Sequence, residues 1–216
     1  MSLACTLGTT LMSRTTPIVF IVDDDVSVRE SLELLIRDAG WRPETFESAQ
    51  EFLVHPRAVV PSCLVLDVAL PGLNGLQLQE RIAADRADMP IIFITGAGDV
   101  PTTVQAMKGG AVEFLTKPFS DTVLLNAIQK AMERSEAALK AGTEINSLRE
   151  RYATLSRRER EVLGLVVRGL LNKQIGFELG ISEITVKAHR GQMMRKMEAD
   201  SLVDLVNIAR KLGISR

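Results

Sequence analysis

The chain has 216 residues, which exceeds the usual domain size of about 100 to 150 residues and favours two domains. Hydrophobic residues make up 46% of the chain and charged residues 25%, a composition that supports packed cores and excludes general disorder. The net charge is −1, but residues 151–216 hold 13 Lys or Arg against 7 Asp or Glu, which favours a polyanionic partner for that part alone.

Cysteine usage fits a reducing compartment, and hydropathy does not indicate a membrane span. Cys5 and Cys63 lie far apart without a C-x-x-C spacing, so neither a disulfide framework nor a thiolate metal site is indicated. No apolar run approaches the roughly 20 residues that cross a bilayer. We expect a cytoplasmic protein with no membrane partner. We also expect residues 1–16 to be a disordered extension, with Met12 as an alternative start.

The segment from Ile18 to Lys130 alternates short apolar runs with amphipathic segments. This alternation predicts a parallel sheet with helices on both faces, since several runs are apolar almost throughout. The predicted strands are Ile18–Val22, Arg42–Phe46, Ser62–Leu66, Pro90–Ile94 and Val112–Leu115.

Helix signals lie between these strands. Ser27 with Glu30, and Ser48 with Glu51, have the spacing of a capping box, and Gly40 is placed to end the first helix. Further helices are predicted over residues 75–84, 101–108 and 121–140.

The segment that follows is rich in Ala, Glu, Lys and Arg and admits two interpretations. The last helix extends toward the second domain, with an interruption at Gly142, or a surface helix is followed by a flexible linker. After Leu155 the chain is helical in character throughout. The four predicted helices are one that begins at the capping box Ser156/Glu159 and ends at Gly169, then Asn172–Leu179, Ser182–Met197 and Ser201–Leu212.

Polar side chains follow four of the predicted strands. They are Asp23, Asp24 and Asp25 after the first strand, Asp67 after the third, Thr95 after the fourth and Lys117 after the fifth. In an open parallel sheet these strand ends meet at one crevice. Clustered carboxylates repel one another unless a cation intervenes, and Mg2+ suits such oxygen ligands. A carboxylate there could also attack a phosphoryl donor, although an Asp after a strand is more often a helix cap or a turn residue.

Four ordered runs of residues 17–130 resemble the receiver domains of two-component response regulators. They are I-V-D-D-D-V-S-V-R-E-S-L at 21–32, L-V-L-D-V-A-L-P-G-L-N-G-L at 64–76, I-T-G-A-G-D-V-P at 94–101 and F-L-T-K-P-F at 114–119. The resemblance implies a doubly wound, flavodoxin-like α/β fold with five parallel strands in the order 2-1-3-4-5.

The same resemblance assigns roles to the residues at the strand ends. Asp67 would be the phosphoacceptor, Lys117 would pair with the phosphoryl group, Thr95 would turn its hydroxyl toward that group, and Phe114 would be the switch aromatic. Mg2+, or Mn2+ or Ca2+ as a substitute, would be held by Asp23, Asp24, Asp67 and the backbone carbonyl of Ala69. A cis peptide bond would precede Pro118, and Asp25 would have a structural role.

Residues 172–197 have the pattern of a helix-turn-helix, with Gly180 and Ser182 at the turn. On the second helix Val186, Met193 and Met197 share one face and are predicted to pack inward. The opposite face carries Ala188, Gly191 and Arg195, flanked by Thr185, Lys187 and Gln192. Such a face can enter the major groove of DNA, although a solvated charged face would have the same composition.

Residues 150–213 resemble the LuxR-type output domain, through L-S-R-R-E-R-E-V-L at 155–163, N-K-Q-I-G at 172–176 and I-S-E-I-T-V-K-A-H-R at 181–190. With the receiver resemblance, the whole chain is identified as a member of the NarL/FixJ subfamily, and its G-D-V-P run is similar to the FixJ branch. The implied DNA-binding residues are Lys187, Ala188 and Gly191 near the bases, Asn172, Thr185, His189 and Arg190 near phosphates or in support, and Gln192 and Arg195 beside them.

The resemblance also implies partners and domain limits. A phosphorylation-activated transcription regulator would have a sensor histidine kinase, promoter DNA and RNA polymerase as partners, and it would form a homodimer when phosphorylated. The last helix would pair two copies through a stripe of Leu202, Leu205, Val206 and Ala209, although core packing explains part of that stripe. We expect a receiver over 17–130, a helical linker over 131–150 and the DNA-binding domain over 151–216.

Two other functions compete with this one. An Asp-nucleophile phosphatase would use the same carboxylates and Lys117, but the D-x-D-x pattern of such enzymes is missing from the first strand. An adaptor that no longer binds DNA is disfavoured by the basic second helix. We therefore expect no enzyme activity beyond self-phosphoryl transfer and slow autodephosphorylation. The run R-P-E-T-F at 42–46 is similar to regulators of aromatic-hydrocarbon catabolism.

Overall fold

The computed structural model describes residues 16–57, 59–96, 98 and 100–214. The chain divides after Lys140 into two compact units. The expected disordered extension, except for Thr16, lies outside the described residues. Within the described residues, no helix has the length and apolar character that a membrane span requires.

The first unit contains a five-stranded parallel sheet in the order β2-β1-β3-β4-β5, which confirms the predicted topology. Every strand lies within one residue of its predicted limits. Asp67 and Thr95 are the last residues of their strands and not, as predicted, the residues that follow them. The strands are β1 Ile18–Val22, β2 Arg42–Phe46, β3 Ser62–Asp67, β4 Ile91–Thr95 and β5 Glu113–Thr116.

Helices cover both faces of this sheet. Successive strand residues point to opposite faces, and in β1 the side chains on both faces are buried. Phe20 packs with Phe52 and Phe93 in one core, and Ile21 packs with Ile36 and Ile128 in the other. The helices are α1 Val26–Asp38, α2 Ala49–Val54, α3 Gly75–Ile82, α4 Val100–Lys108 and α5 Asp121–Ala153.

The first two helix starts correct the predicted capping boxes. Asp25, not Ser27, caps α1, because its carboxylate accepts a hydrogen bond from the amide of Ser27 at 2.8 Å. Ser48 caps α2 as predicted, but the Glu51 side chain accepts from the amide of Glu47 and not from that of Ser48. A carboxylate directly before the helix therefore outcompetes a hydroxyl two residues later.

Helix α5 is 33 residues long and passes through Gly142, so the predicted interruption is wrong. A glycine within a helix costs only about 0.5–1 kcal/mol relative to alanine. On the C-terminal side of Gly142, Leu148 is buried in the core of the second unit. That burial offsets the cost, and the helix continues.

The second unit holds the four predicted helices, α6 Arg157–Val167, α7 Asn172–Leu179, α8 Glu183–Met197 and α9 Leu202–Lys211. Ser156 and Glu159 form the predicted capping box before α6. Gly180 ends α7 in the left-handed conformation, with φ of 65°, and Ser182 caps α8. This tight turn sets α7 and α8 as a helix-turn-helix.

Candidate functional site

An acidic pocket lies at the carboxyl ends of the strands, where the sequence predicted it. Asp23 follows β1 and is 1% exposed, and Asp67 ends β3 and is 4% exposed. Lys117 follows β5, and its Nζ lies 2.7 Å from Asp23 Oδ2 and 2.9 Å from Asp67 Oδ1. Three residues that are distant in sequence thus form one cluster, in which the Lys117 ammonium contacts two buried carboxylates.

The backbone around Asp67 is tightly packed. Its Oδ2 accepts a hydrogen bond from the amide of Ala69 at 2.6 Å, which orients the carboxylate. A Cβ at Gly75, the first residue of α3, would lie 2.4 Å from the carbonyl oxygen of Asp67 and 3.1 Å from Phe93 Cε1. Only glycine lets α3 approach the end of β3 this closely.

The pKa values of Asp23 and Lys117 are both raised, for different physical reasons. Burial raises the pKa of Asp23, and the nearby Asp67 adds to the rise, while hydrogen bonds from Lys117 and the amide of Asp25 oppose it. Burial alone would lower the pKa of Lys117, but its hydrogen bonds and charge interactions with Asp23 and Asp67 raise it. Lys117 therefore stays protonated, and its single charge does not offset both carboxylates.

The donor chemistry of this pocket fits a hard divalent cation. Asp23 and Asp67 supply carboxylate oxygens, and one ammonium leaves the pair with excess negative charge. Asp24, the next residue after Asp23, is exposed. Among the described residues, no three His, Cys, Asp or Glu side chains converge as a metal site. The roles of Asp24 and the Ala69 carbonyl stay predictions.

Thr95 lies on β4, the strand next to that of Asp67, and Phe114 lies on β5, one strand further out. Thr95 is 2% exposed at the end of β4, and its carbonyl accepts from the amide of Lys117 at 2.7 Å. Phe114 is half-buried on β5, with its ring centroid 6.1 Å from that of Phe93. The Lys117-Pro118 peptide bond is cis, as predicted. The pocket thus connects through Phe93 and Phe114 toward β5.

In the second unit, α8 has the predicted two-faced character. Val186, Met193 and Met197 are fully buried in the core of this unit. The predicted DNA-binding residues that are exposed are Lys187, Ala188, Gly191, Gln192 and Arg195. Lys187 makes an ion pair with Glu183 one turn earlier, at 3.2 Å. The exposed face therefore carries two basic side chains, those of Lys187 and Arg195.

The remaining predicted DNA-binding residues are half-buried and lie beside α7 or the turn. Arg190 Nη1 donates to Asn172 Oδ1 at 2.9 Å, which joins α8 to the start of α7. The hydroxyl of Thr185 lies 2.8 Å from that of Ser182, and His189 is half-buried. Asn172 and Arg190 thus hold the two helices together.

Sequence reasoning missed two ion pairs that hold α8. Lys196 Nζ lies 2.7 Å from Glu159 Oε2 on α6. Arg151, near the end of α5, lies 2.8 Å from Glu198, which ends α8 with φ of 51°. Non-glycine residues rarely adopt this conformation, and the ion pair lies at this helix end. The partners of these two pairs are separated by 37 and 47 positions in the sequence, and hydrophobic periodicity does not reveal contacts at such separations.

Sequence reasoning also missed Ile184, an exposed apolar residue in the first turn of α8. Its position four residues before Ala188 was the available signal. In α9, Leu205 and Ala209 are buried in the core, Val206 is half-buried and Leu202 is 43% exposed. Core packing therefore accounts for part of the α9 stripe, as expected from the sequence.

Comparisons with known proteins agree with this architecture. Residues 19–129 match the response regulator receiver domain family, and residues 153–209 match the bacterial regulatory proteins of the luxR family. Nodulation protein W of Bradyrhizobium diazoefficiens is 51% identical over 201 residues, which cover 93% of this chain and 88% of that protein.

Two solved full-length structures are similar over nearly the whole chain. The response regulator StyR is 47% identical with a TM-score of 0.79, over 91% of this chain and 100% of that chain. FixJ from B. japonicum is 39% identical with a TM-score of 0.54, over 94% of this chain and 100% of that chain. The chain therefore belongs to the response regulators of the NarL/FixJ subfamily, phosphorylation-dependent transcription regulators that join a receiver domain to a LuxR-type DNA-binding domain.

Proposed function

We propose that Asp67 accepts a phosphoryl group from a sensor histidine kinase and that the phosphorylated chain binds promoter DNA through α8. The observation that carries this proposal is the Lys117 ammonium, 2.7 Å from Asp23 and 2.9 Å from Asp67. In the transfer, an oxygen of Asp67 forms a bond to phosphorus. The bond from phosphorus to the kinase histidine breaks, and its electron pair returns to the imidazole.

Lys117 would then exchange a carboxylate partner for the phosphoryl oxygens. Its side chain is 26% exposed, so it can reach a group added on the solvent side of Asp67. The amide of Ala69 keeps the Asp67 carboxylate in orientation, since their hydrogen bond is 2.6 Å long. Preorganised donors of this kind stabilise charge without reorganisation during the reaction.

Asp23, Asp24, Asp67 and the carbonyl of Ala69 would hold Mg2+, which Mn2+ or Ca2+ could replace. Receiver domains typically use Mg2+. The bound ion would supply positive charge that offsets both the buried carboxylates and the phosphoryl oxygens. Because Asp23 is buried beside Asp67, its carboxylate gains more from such a cation than an exposed carboxylate would.

Phosphorylation adds nearly two negative charges beside Thr95 and Lys117. The hydroxyl of Thr95 would turn toward the phosphoryl group, and Phe114 would repack against Phe93 and change the surface of β5 and α4. These shifts would favour a pre-existing form of the receiver that pairs with a second copy. The exposed side chains of Val100, Val104 and Met107 on α4 support such a surface.

Promoter DNA would be held by the exposed face of α8. Lys187, Ala188 and Gly191 would lie near the bases, with Gln192 and Arg195 beside them, and Thr185 and His189 near phosphates. The pair of Asn172 and Arg190 would support the helix from behind. A second copy would pair through α9, RNA polymerase would be the downstream partner, and the protein would act in the cytoplasm, where its promoter lies. Catalysis would be limited to self-phosphoryl transfer and slow autodephosphorylation.

Labelling of the full chain with radioactive acetyl phosphate tests the phosphoacceptor. We expect Asp67→Asn to abolish labelling, because an amide does not attack phosphorus as a carboxylate does. Asp25→Asn is the matched control: Asp25 is an exposed carboxylate close in sequence to Asp23, and Asn retains its role as the cap of α1. That variant should be labelled like the wild type. Labelling of Asp67→Asn at the wild-type rate would refute the assignment.

A further inference from the structure

The exposed side of α8 begins with an isoleucine. Ile184 is 79% exposed, although isoleucine is among the residue types most often buried. Ser182 caps the helix through the amide of Thr185, so the first turn that carries Ile184 is ordered. Neither the packing of the second unit nor the residues already assigned to DNA binding accounts for this side chain.

Ile184 shares one stripe with Ala188, Gly191 and Arg195. At about 100° of rotation per residue, these four positions fall within an arc of about 60°. The centre of that arc lies opposite Val186, Met193 and Met197, which are fully buried. The stripe therefore faces directly away from the core, and its first three members are one branched apolar side chain and two small residues.

The flanks of this stripe indicate what covers it. Lys187 and Gln192 are exposed on either side of it, Arg195 forms its C-terminal end, and residues 151–216 have an excess of basic residues. A basic rim favours a polyanion over an apolar protein surface. In a helix-turn-helix, the N-terminal residues of the second helix contact base edges, and the major groove presents one apolar group, the thymine methyl.

We propose that Ile184 reads a thymine methyl in the major groove and so sets part of the sequence specificity of this regulator. The inference rests on the proposed DNA binding and extends it to a residue not assigned so far. Isoleucine has one strongly preferred χ1 rotamer in a helix, so little conformational entropy is lost on contact. Ala188 and Gly191 are small, which lets the helix approach the bases and bring Ile184 within reach.

The test uses the full chain, phosphorylated with acetyl phosphate. Selection from random duplexes gives its preferred site, and each thymine of that site is then replaced by deoxyuridine, which lacks only the methyl group. For the wild type we expect at least one replacement to weaken binding about fourfold, the value for one buried methyl-sized group. For Ile184→Ala the same replacement should change binding less than about 1.5-fold, since the contact is already lost.

Phe177→Ala is the matched control, because Phe177 is an apolar side chain that is 92% exposed on α7, outside the stripe. This variant should keep the full methyl dependence. Equal penalties in the wild type and Ile184→Ala at every thymine would overturn the proposal. So would loss of the penalty in Ala188→Gly but not in Ile184→Ala, or a wild type indifferent to every methyl. Salt-sensitive binding of the wild type to DNA separates these results from failure of the proposed function, in which no duplex is bound.

Discussion

Lys196 of α8 and Glu159 of α6 form a partly buried ion pair that joins the second helix of the helix-turn-helix to α6. Lys196→Met should destabilise the second unit by about 2 kcal/mol. The side chain of Glu159 is 6% exposed and that of Lys196 35% exposed, with 2.7 Å between Nζ and Oε2. Breaking a fully buried pair costs about 3–5 kcal/mol, whereas an exposed pair contributes about 0–1 kcal/mol. Because only the Lys196 side chain of this pair is partly exposed, the cost of breaking the pair lies between these limits.

The same pair predicts a pH dependence. The hydrogen bond from Lys196 lowers the pKa of Glu159 below its usual value of 4.5; burial opposes this shift, and the bonds with Ser156 support it. A carboxylate with a lowered pKa in the folded state contributes stability above about pH 4.5, which is lost as pH falls through the folded value. The wild type should lose this contribution in acid. Glu159→Gln should lack it at every pH.

Unfolding in urea, followed by fluorine NMR, measures these effects separately in each unit. The chain has one Trp and one Tyr: Trp41 lies in the first unit, and Tyr152 packs against the core of the second. Fluorotryptophan and fluorotyrosine therefore give one resonance for each unit. Lys196→Met should lower the urea midpoint of the Tyr152 resonance and leave that of Trp41 unchanged.

Lys187→Met is the matched control, since Lys187 lies on the same helix and also pairs with a glutamate, Glu183, but its side chain is 62% exposed. Its effect should stay below about 0.5 kcal/mol. A Tyr152 midpoint that Lys196→Met leaves unchanged, or that both lysine variants shift equally, would show that the Lys196–Glu159 pair does not stabilise the second unit.

Three further substitutions test other contacts. Lys117→Met removes the ammonium shared by Asp23 and Asp67, so the initial rate of acetyl phosphate labelling should fall about tenfold or more; an unchanged rate would contradict the pocket's proposed role. Gly75→Ala places a Cβ 2.4 Å from the carbonyl oxygen of Asp67, so the urea midpoint of Trp41 should fall by the equivalent of about 2 kcal/mol, and a wild-type midpoint would show that β3 shifts freely. Gly142→Ala meets no atom within 4 Å within α5, so unfolding should cost about 0.5–1 kcal/mol more; a loss of stability would indicate that glycine is required there.

The convergence of the acidic pocket could be predicted from the sequence because parallel strands end at one edge. Asp23, Asp67 and Lys117 lie 44 and 50 positions apart in the printed sequence, yet strand order alone brings them together. The exposure of a single side chain at that edge could not be predicted in the same way. Asp24 shares its motif with Asp23 but is exposed, and the strand order does not specify the exposure of a residue beyond the strand end.

Predictions failed where two local signals competed or where a contact had no period. Asp25 and Ser27 are both good helix caps, and the structure chooses the carboxylate nearer the helix start. Gly142 reads as a helix end, but tertiary burial of Leu148 offsets its cost. The bond between Asn172 and Arg190, and the pair of Arg151 with Glu198, depend on how α5, α7 and α8 pack, which hydrophobic periodicity does not specify.

We propose that a phosphoryl group on Asp67 controls DNA binding by α8. The most direct test is the DNA affinity of the full chain with and without acetyl phosphate, for the wild type and Asp67→Asn at one salt concentration. Coupling between two sites typically changes affinity by about 5- to 150-fold. We expect a tightening of that size in the wild type and none in Asp67→Asn. Equal tightening in both proteins, or no change in the wild type, would contradict it.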